Sequence, residues 1–121
     1  LIFKAFKGME ITIYNNGKFF RDLIYVDDVI SAIKSIMLKG QSGNLYWISS
    51  NNKTWFYQLG EILEKLTDTP VVYIDPPQYT KQVDVGNFLV DNSKLCSLGW
   101  KPSIPLKNGI KKTLDYFQSL K

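Results

Sequence analysis

The chain has 121 residues and a net charge of +4, with 45% hydrophobic and 21% charged residues. These proportions are typical of one globular domain and exclude a disordered or low-complexity chain. No stretch of about 18 apolar residues is present, so we expect no membrane span. The single cysteine, Cys96, cannot form an internal disulfide, which favours a cytoplasmic location.

The sequence contains no histidine. This excludes Ser-His-Asp and Cys-His catalysis, histidine zinc sites and imidazole acid–base chemistry within these 121 residues. One cysteine also excludes a zinc site made of thiolates. We therefore expect no metal, and any chemistry must use carboxylates, lysine, arginine, tyrosine, hydroxyls or the backbone.

The first predicted elements are a short helix and two strands. Residues 1–6 place apolar side chains on one helical face. A helix already under way at the first residue indicates a piece of a longer protein. Residues 10–14 alternate like a strand, and residues 19–26 follow the turn Asn15-Asn16-Gly17. This pattern predicts a hairpin or two short strands around a tight turn.

Two helices and a strand are predicted in the middle of the chain. Asp27-Asp28 predicts the cap of a helix that ends at Gly40. Residues 45–48 read as a short buried strand. Thr54 is predicted to cap the next helix, whose apolar residues run to Leu66.

The last part predicts a strand and two helices around a loop. Residues 71–74 read as a strand, and residues 78–90 as a loop with strand-like pieces. Asp91 or Asn92 is predicted to cap a short helix through Leu98, and the last helix begins near Pro105. Helices and strands alternate throughout, so the sequence predicts a mixed α/β chain that is α+β when taken alone, with residues 1–121 as one domain.

Positive charge is concentrated at the end of the chain, where residues 101–121 carry five basic groups and one acidic group. A basic cluster can mark a nucleic-acid site, or it can be the solvent face of the last helix. Arginine is scarce and no aromatic residue alternates with the lysines, so we favour the second interpretation and expect no nucleic-acid partner.

The most distinctive stretch begins at Arg21, a lone arginine at the end of a predicted strand and before a predicted helix. Such an arginine can clamp a phosphate with two parallel hydrogen bonds. It can equally form a surface ion pair with Asp22 or another acid, which stabilises a protein little. Spacing alone leaves both interpretations open.

Two blocks of sequence carry a resemblance to a known family. Residues 17–29, Gly-Lys-Phe-Phe-Arg-Asp-Leu-Ile-Tyr-Val-Asp-Asp-Val, resemble the Arg-Asp-aromatic-Ile-Tyr-Val-Asp-Asp-Val segment of NAD-dependent sugar-nucleotide epimerases and dehydratases. Asp-Asn-Ser-Lys at 91–94 and Leu-Gly-Trp-Lys-Pro at 98–102 resemble a second signature of these enzymes, which are extended short-chain dehydrogenases/reductases. Residues 106–113 are similar to their closing helix.

The resemblance implies a role for three residues. The arginine at the position of Arg21 contacts the nucleotide diphosphate in this family. Lys81 and Asp84 match a basic residue and an aspartate that also hold the nucleotide, because Asp84 lies seven residues before Asp91. Many relatives have arginine in place of Lys81, and lysine keeps the charge without the two-pronged fork. Trp100 is implied to be structural.

The resemblance also implies what the chain would not do alone. It covers only the C-terminal, substrate-binding part of such an enzyme, of the UDP-glucose 4-epimerase or dTDP-glucose 4,6-dehydratase kind. NAD, the catalytic tyrosine and lysine, and the homodimer contacts would belong to an N-terminal Rossmann domain outside residues 1–121. We therefore expect no catalytic residue, no bound cofactor and no activity in this chain, with a nucleotide sugar as its ligand.

Two other features bear on that expectation. The eight glycines do not approach the spacing of a nucleotide-binding loop. Tyr14 and Lys18 have the Tyr-x-x-x-Lys spacing of a dehydrogenase catalytic pair, but a turn sequence lies between them where a helix is required. The alternative function is a stand-alone module that binds an anionic ligand or nucleic acid without catalysis.

Overall fold

The computed structural model describes residues 1–120, and for residue 81 only the backbone. Within that range helices and strands are mixed, and the last three elements are helices. The helices are Ile2–Phe6 (α1), Val26–Lys39 (α2), Phe56–Thr67 (α3), Gln78–Val83 (α4), Ser93–Cys96 (α5) and Leu106–Ser119 (α6). The strands are Ile11–Tyr14 (β1), Phe20–Asp22 (β2), Lys53–Trp55 (β3) and Val71–Ile74 (β4). A short 3-10 helix, Asn15–Gly17, follows β1.

The strands form two separate two-stranded sheets. β1 pairs in parallel with β4, with Ile11 opposite Val71. β2 pairs antiparallel with β3, with Arg21 opposite Thr54. Of the two arrangements that residues 10–26 allow, the structure therefore has two strands around a tight turn, and each strand has a different partner.

The first core lies between β1, α3 and α6. Ile11 and Ile13 alternate on the buried face of β1, with relative exposures of 0% and 2%. Leu59 and Leu63, one helical turn apart on α3, pack in the same cluster as Ile110 of α6. The helical spacing of these apolar residues places them on the inner faces of α3 and α6.

The second core lies under α2 and is built around Trp100. The indole packs with Ala32 of α2 and Leu95 of α5, and all three are buried. Its Nε1 donates a 2.8 Å hydrogen bond to Oγ of Ser31, which donates in turn to the carbonyl of Asp28. The buried indole thus has a polar partner, which confirms the structural role expected of Trp100.

The two predicted caps, Asp27-Asp28 and Thr54, are wrong. α2 begins at Val26, and Asp28 accepts hydrogen bonds from a distant loop in place of its own helix. Thr54 lies within β3, where its backbone pairs with β2. The helix α3 therefore begins at Phe56, two residues after Thr54. There the side chain of Gln58 accepts a 3.3 Å hydrogen bond from the Trp55 N–H.

Residues 45–48 are not a strand, although they alternate like one. Tyr46 and Ile48 pack against the second core, whereas Leu45 and Trp47 are 68% and 60% exposed. No other backbone pairs with this segment within residues 1–120. The side chains therefore alternate between buried and exposed without the hydrogen bonds of a sheet. Leu45 and Trp47 therefore leave apolar surface exposed.

The loop predicted over residues 78–90 is also partly wrong, since α4 occupies its first half. Pro77 stands directly before the helix and accepts a 2.6 Å hydrogen bond from the Thr80 hydroxyl, which supports the first turn. The short α5 ends at Cys96, before the predicted Leu98, and Asp91 accepts from the Ser93 N–H at its start. None of the helices within residues 1–120 combines the length and apolar character that crossing a membrane requires.

Candidate functional site

A cleft of about 600 Å³ lies beside β2 and α4. Its lining residues are Tyr14, Asn15, Phe19, Arg21, Asp75, Pro76, Thr80, Val83 and Asp84. The structure thus brings together two of the three residues that the sequence singled out, Arg21 and Asp84. The backbone of Lys81 lies in α4, one turn before Asp84, and its side chain lies outside the described part of the chain.

The guanidinium of Arg21 is held by three hydrogen bonds. Nη1 donates to the carbonyls of Phe20 at 2.9 Å and Gly86 at 2.6 Å, and Nη2 donates to Oδ1 of Asp84 at 2.8 Å. An arginine has five N–H donors. Two donors of Arg21 therefore have no hydrogen bond to the residues that the structure describes.

Two aromatic rings fix the position of the same guanidinium. Its Cζ lies 5.4 Å from the ring centroid of Phe19 and 5.5 Å from that of Phe88. A cation over ring faces is attracted by their π-electrons. The side chain is only 20% exposed, so Arg21 is a pre-positioned group.

Asp84 is the partner of Arg21, whereas Asp22 is not. The carboxylate stands at the end of α4 and also accepts the Gly86 N–H at 3.1 Å. Its side chain is 50% exposed, and its Oδ2 has no hydrogen bond among the described residues. Of the acids considered for Arg21, the structure selects Asp84, and it places that ion pair in the wall of the cleft.

The charges lining the cleft do not by themselves favour an anion. Among the described side chains, Arg21 contributes one positive charge, and Asp75 and Asp84 contribute two negative charges. A diphosphate therefore needs a further cation, because like charges at short range repel. Lys81 is the candidate that the sequence provides.

Asp22 has a different role that sequence reasoning missed. Its Oδ1 accepts the backbone N–H of Ser50 at 2.9 Å and the Ser50 hydroxyl at 2.7 Å. Its Oδ2 accepts the N–H groups of Asn51 and Val90, both at 3.2 Å. The only signal in the sequence was an acid beside Arg21 at a strand end, which does not reveal partners 28 and 68 residues away.

Asp28 joins α2 to the segment before α6. Although 2% exposed, its carboxylate accepts the Ser103 hydroxyl at 2.8 Å, the Ser103 N–H at 3.1 Å and the Ile104 N–H at 2.9 Å. Burial raises the pKa of Asp28, but the hydrogen bonds from Ile104 and Ser103 outweigh burial and hold that pKa below its usual value. Asp28 is therefore an ionised structural group.

Tyr14 and Lys18 do not share a helix, as the turn sequence between them predicts. Tyr14 ends β1, and Lys18 follows the 3-10 helix. No group of three or more potential metal-ligating side chains occurs within the described residues.

Known proteins with this fold define the class of the chain. A UDP-glucose 4-epimerase from Thermotoga maritima, solved with UDP-glucose, superposes with a TM-score of 0.83 and 32% identity, over 98% of this chain and 38% of that protein. A dTDP-glucose 4,6-dehydratase from Bacillus anthracis, solved with NAD, shares the fold with a TM-score of 0.78 at 22% identity, over 98% and 37%. The fold is that of the extended short-chain dehydrogenases/reductases, the sugar-nucleotide epimerases and dehydratases.

The family assignment follows from sequence as well. The chain belongs to the GDP-mannose 4,6 dehydratase family, whose model matches residues 2–113. A mouse dTDP-D-glucose 4,6-dehydratase is 29% identical over 115 residues, which is 88% of this chain and 31% of that protein. The chain spans about a third of the length of such relatives.

Proposed function

We propose that residues 1–121 form the sugar-nucleotide-binding lobe of a longer NAD-dependent epimerase or dehydratase. The observation that carries this proposal is the cleft lined by Arg21 and its ion-pair partner Asp84, in which two N–H donors of Arg21 have no partner among the described residues. The similar Thermotoga maritima enzyme was solved with a ligand of this class, UDP-glucose. A nucleoside diphosphate linked to a sugar is thus the proposed ligand.

Each of the three residues has a role in this proposal. Arg21 donates charge-assisted hydrogen bonds to the diphosphate, and Lys81 supplies the second positive charge that the cleft needs. Asp84 accepts from ribose hydroxyls through the carboxylate oxygen that Arg21 does not use. The pair orders both groups before the ligand arrives, which lowers the entropic cost of binding.

The residues present do not fit NAD, so we place the cofactor mainly outside this chain. A dinucleotide needs a glycine-rich turn from a strand into a helix. Within residues 1–120, β3 runs directly into α3 through Trp55, and Gly8, Gly43 and Gly86 stand singly in open turns. The catalytic residues of the parent enzyme are likewise proposed to lie beyond residues 1–121.

An exposed apolar face supports the proposal of a longer protein. Ile33 and Met37 on α2 are 45% and 80% exposed, and Leu45 and Trp47 are exposed as well. Ile33 and Met37 lie one turn apart on the same side of α2, and uncovered apolar surface is typical of an interface. We propose that the NAD-binding domain of the parent packs on this face, that the parent forms a homodimer through that domain, and that it is a cytoplasmic enzyme.

The test is a calorimetric titration of the chain with UDP, dTDP and GDP at fixed ionic strength. We expect Arg21→Lys to weaken binding of the preferred nucleotide by roughly ten- to a hundredfold, because one prong of the clamp is lost. Lys81→Ala should weaken it less. Lys34→Ala removes an exposed charge from α2 and serves as the control. Unchanged affinity in the Arg21 variant would contradict the proposal, and binding of single-stranded RNA in place of nucleotides would favour a stand-alone module.

A further inference from the structure

The wall of the cleft continues into residues 84–90, which we call the strap. Residues of β2 hold the strap at both ends and also at Asn87, whose Oδ1 accepts the Phe20 N–H at 2.9 Å. At its near end Arg21 contacts Asp84 and Gly86. At its far end the N–H of Val90 donates to Asp22, and the Val90 carbonyl accepts from the Ser49 hydroxyl at 3.0 Å.

The strap has little apolar burial of its own. Val85 is 75% exposed, and Phe88 and Leu89 are 44% and 41% exposed. A segment with few buried apolar contacts depends on its hydrogen bonds for order. Its anchors on β2 therefore decide where Asp84 and Gly86 lie relative to Arg21.

Asp22 is the anchor with the widest reach. One oxygen of its carboxylate binds Ser50, and the other binds Asn51 and Val90. Asp22 also follows Arg21 directly in β2. Two neighbouring residues of one strand therefore hold the strap, Arg21 at its near end and Asp22 at its far end.

We propose that Asp22 is a positioning residue of the cleft: it holds the strap at Val90 and thereby keeps Asp84 against Arg21 in the geometry that binds the ligand. This inference rests on the proposed function for the identity of the ligand. The role is indirect, since Asp22 does not line the cleft.

The variant Asp22→Asn separates positioning from simple electrostatics. Both oxygens of the Asp22 carboxylate accept hydrogen bonds, whereas the NH2 group of asparagine cannot accept one. In either orientation of the amide, the hydrogen bonds to one of the two oxygens are therefore lost. Removal of a negative charge near the cleft would, by charge alone, strengthen the binding of an anion. Loss of positioning would weaken it, so the two roles predict opposite signs.

The experiment combines amide hydrogen exchange with titration of UDP into the 121-residue chain. For Asp22→Asn we expect exchange at Gly86 and Val90 to become about tenfold faster, with the β1–β4 amides unchanged. UDP affinity should fall by about tenfold, the equivalent of one good hydrogen bond. Asp27→Asn, which removes the same charge from an exposed site, should change neither.

Ser50→Ala is the milder variant, since it keeps the carboxylate and removes one of its partners. It should make amide exchange in the strap about threefold faster and UDP binding about threefold weaker. If Asp22→Asn does not fold, this variant tests whether Asp22 positions the strap. Unchanged exchange in the strap, or faster exchange with equal or tighter UDP binding, overturns the inference. If the unmodified chain binds no nucleotide, the proposed function fails, and the exchange rates still decide whether Asp22 holds the strap.

Discussion

Asp28 and Ser103, 75 residues apart in the chain, are joined by hydrogen bonds from both the hydroxyl and the backbone N–H of the serine. The contact ties the first turn of α2 to the loop that leads into α6. Asp28 lies in the first block that resembles the family, and Ser103 directly follows the second. Part of that resemblance therefore reflects the fold, and the members of the first block that line the cleft are Phe19 and Arg21.

The first prediction concerns Asp28→Asn. The amide nitrogen cannot accept from Ser103 or Ile104, so buried N–H and O–H donors lose partners. We expect the free energy of unfolding to fall by about 2–4 kcal/mol, measured by urea denaturation at pH 7. Asp27→Asn is the matched control, because the Asp27–Lys112 ion pair is half exposed and its loss should cost less than about 1 kcal/mol. Equal losses in the two variants would contradict the role assigned to Asp28.

The second prediction is a pH dependence with a defined sign. The pKa of Asp28 is lower in the folded chain than the value of about 3.9 expected when it is unfolded. The unfolded chain therefore binds more protons between these two pKa values, and stability rises with pH there. The contribution of Asp28 is complete above about pH 5 and is lost as the pH falls through the folded pKa. The stability difference between the native chain and Asp28→Asn should be constant from pH 5 to 7 and narrow below about pH 4.

The sequence predicts those features of the fold and the site that leave a pattern along the chain. Apolar periodicity predicted the helices α2 and α3 and the strands β1 and β4. It could do so because burial of one face of an element leaves a repeating pattern of apolar residues. Family spacing led to Arg21 and Asp84, which the structure places in one cleft.

The partners of Asp22 and Asp28 left no such pattern. A carboxylate that accepts hydrogen bonds from residues 28 to 76 positions away looks, in sequence, like any capping or surface acid. The prediction of a strand at residues 45–48 failed for a related reason, since a strand forms only when another backbone lies beside it. α4 was missed because its six residues are too few for a helical period to be visible.

The third prediction concerns Gly17. Its φ is +66°, and a Cβ at this position would lie only 2.4 Å from the backbone nitrogen of Tyr57. Backbone cannot yield as a side chain can, so Gly17→Ala should destabilise the chain by at least about 3 kcal/mol. Gly43→Ala is the control, because Gly43 has a φ of +76° with open space around it. That variant should lose only about 1–2 kcal/mol, the cost of the left-handed conformation alone. Similar melting temperatures for the two variants would refute the close approach of Tyr57.

The fourth prediction separates the two ligands of the proposed parent enzyme. UDP or dTDP at a hundred times its dissociation constant should stabilise the chain by about 2.7 kcal/mol and raise its melting temperature. NAD at the same concentration should leave the melting temperature unchanged, because the residues present form no glycine-rich cradle. A thermal shift with NAD alone would place part of the cofactor site within residues 1–121.

The parallel pairing of β1 with β4 has a consequence for the order in which the chain folds. Residues 15–70 separate the two strands, so the ribosome must add this whole segment before β1 can meet its partner. At about 5–20 residues per second, that delay is roughly 3–11 seconds. During this interval Ile11 and Ile13, which end fully buried, lie on a strand that lacks its β4 partner. Until β4 has been made, that strand offers a chaperone a short apolar segment to bind.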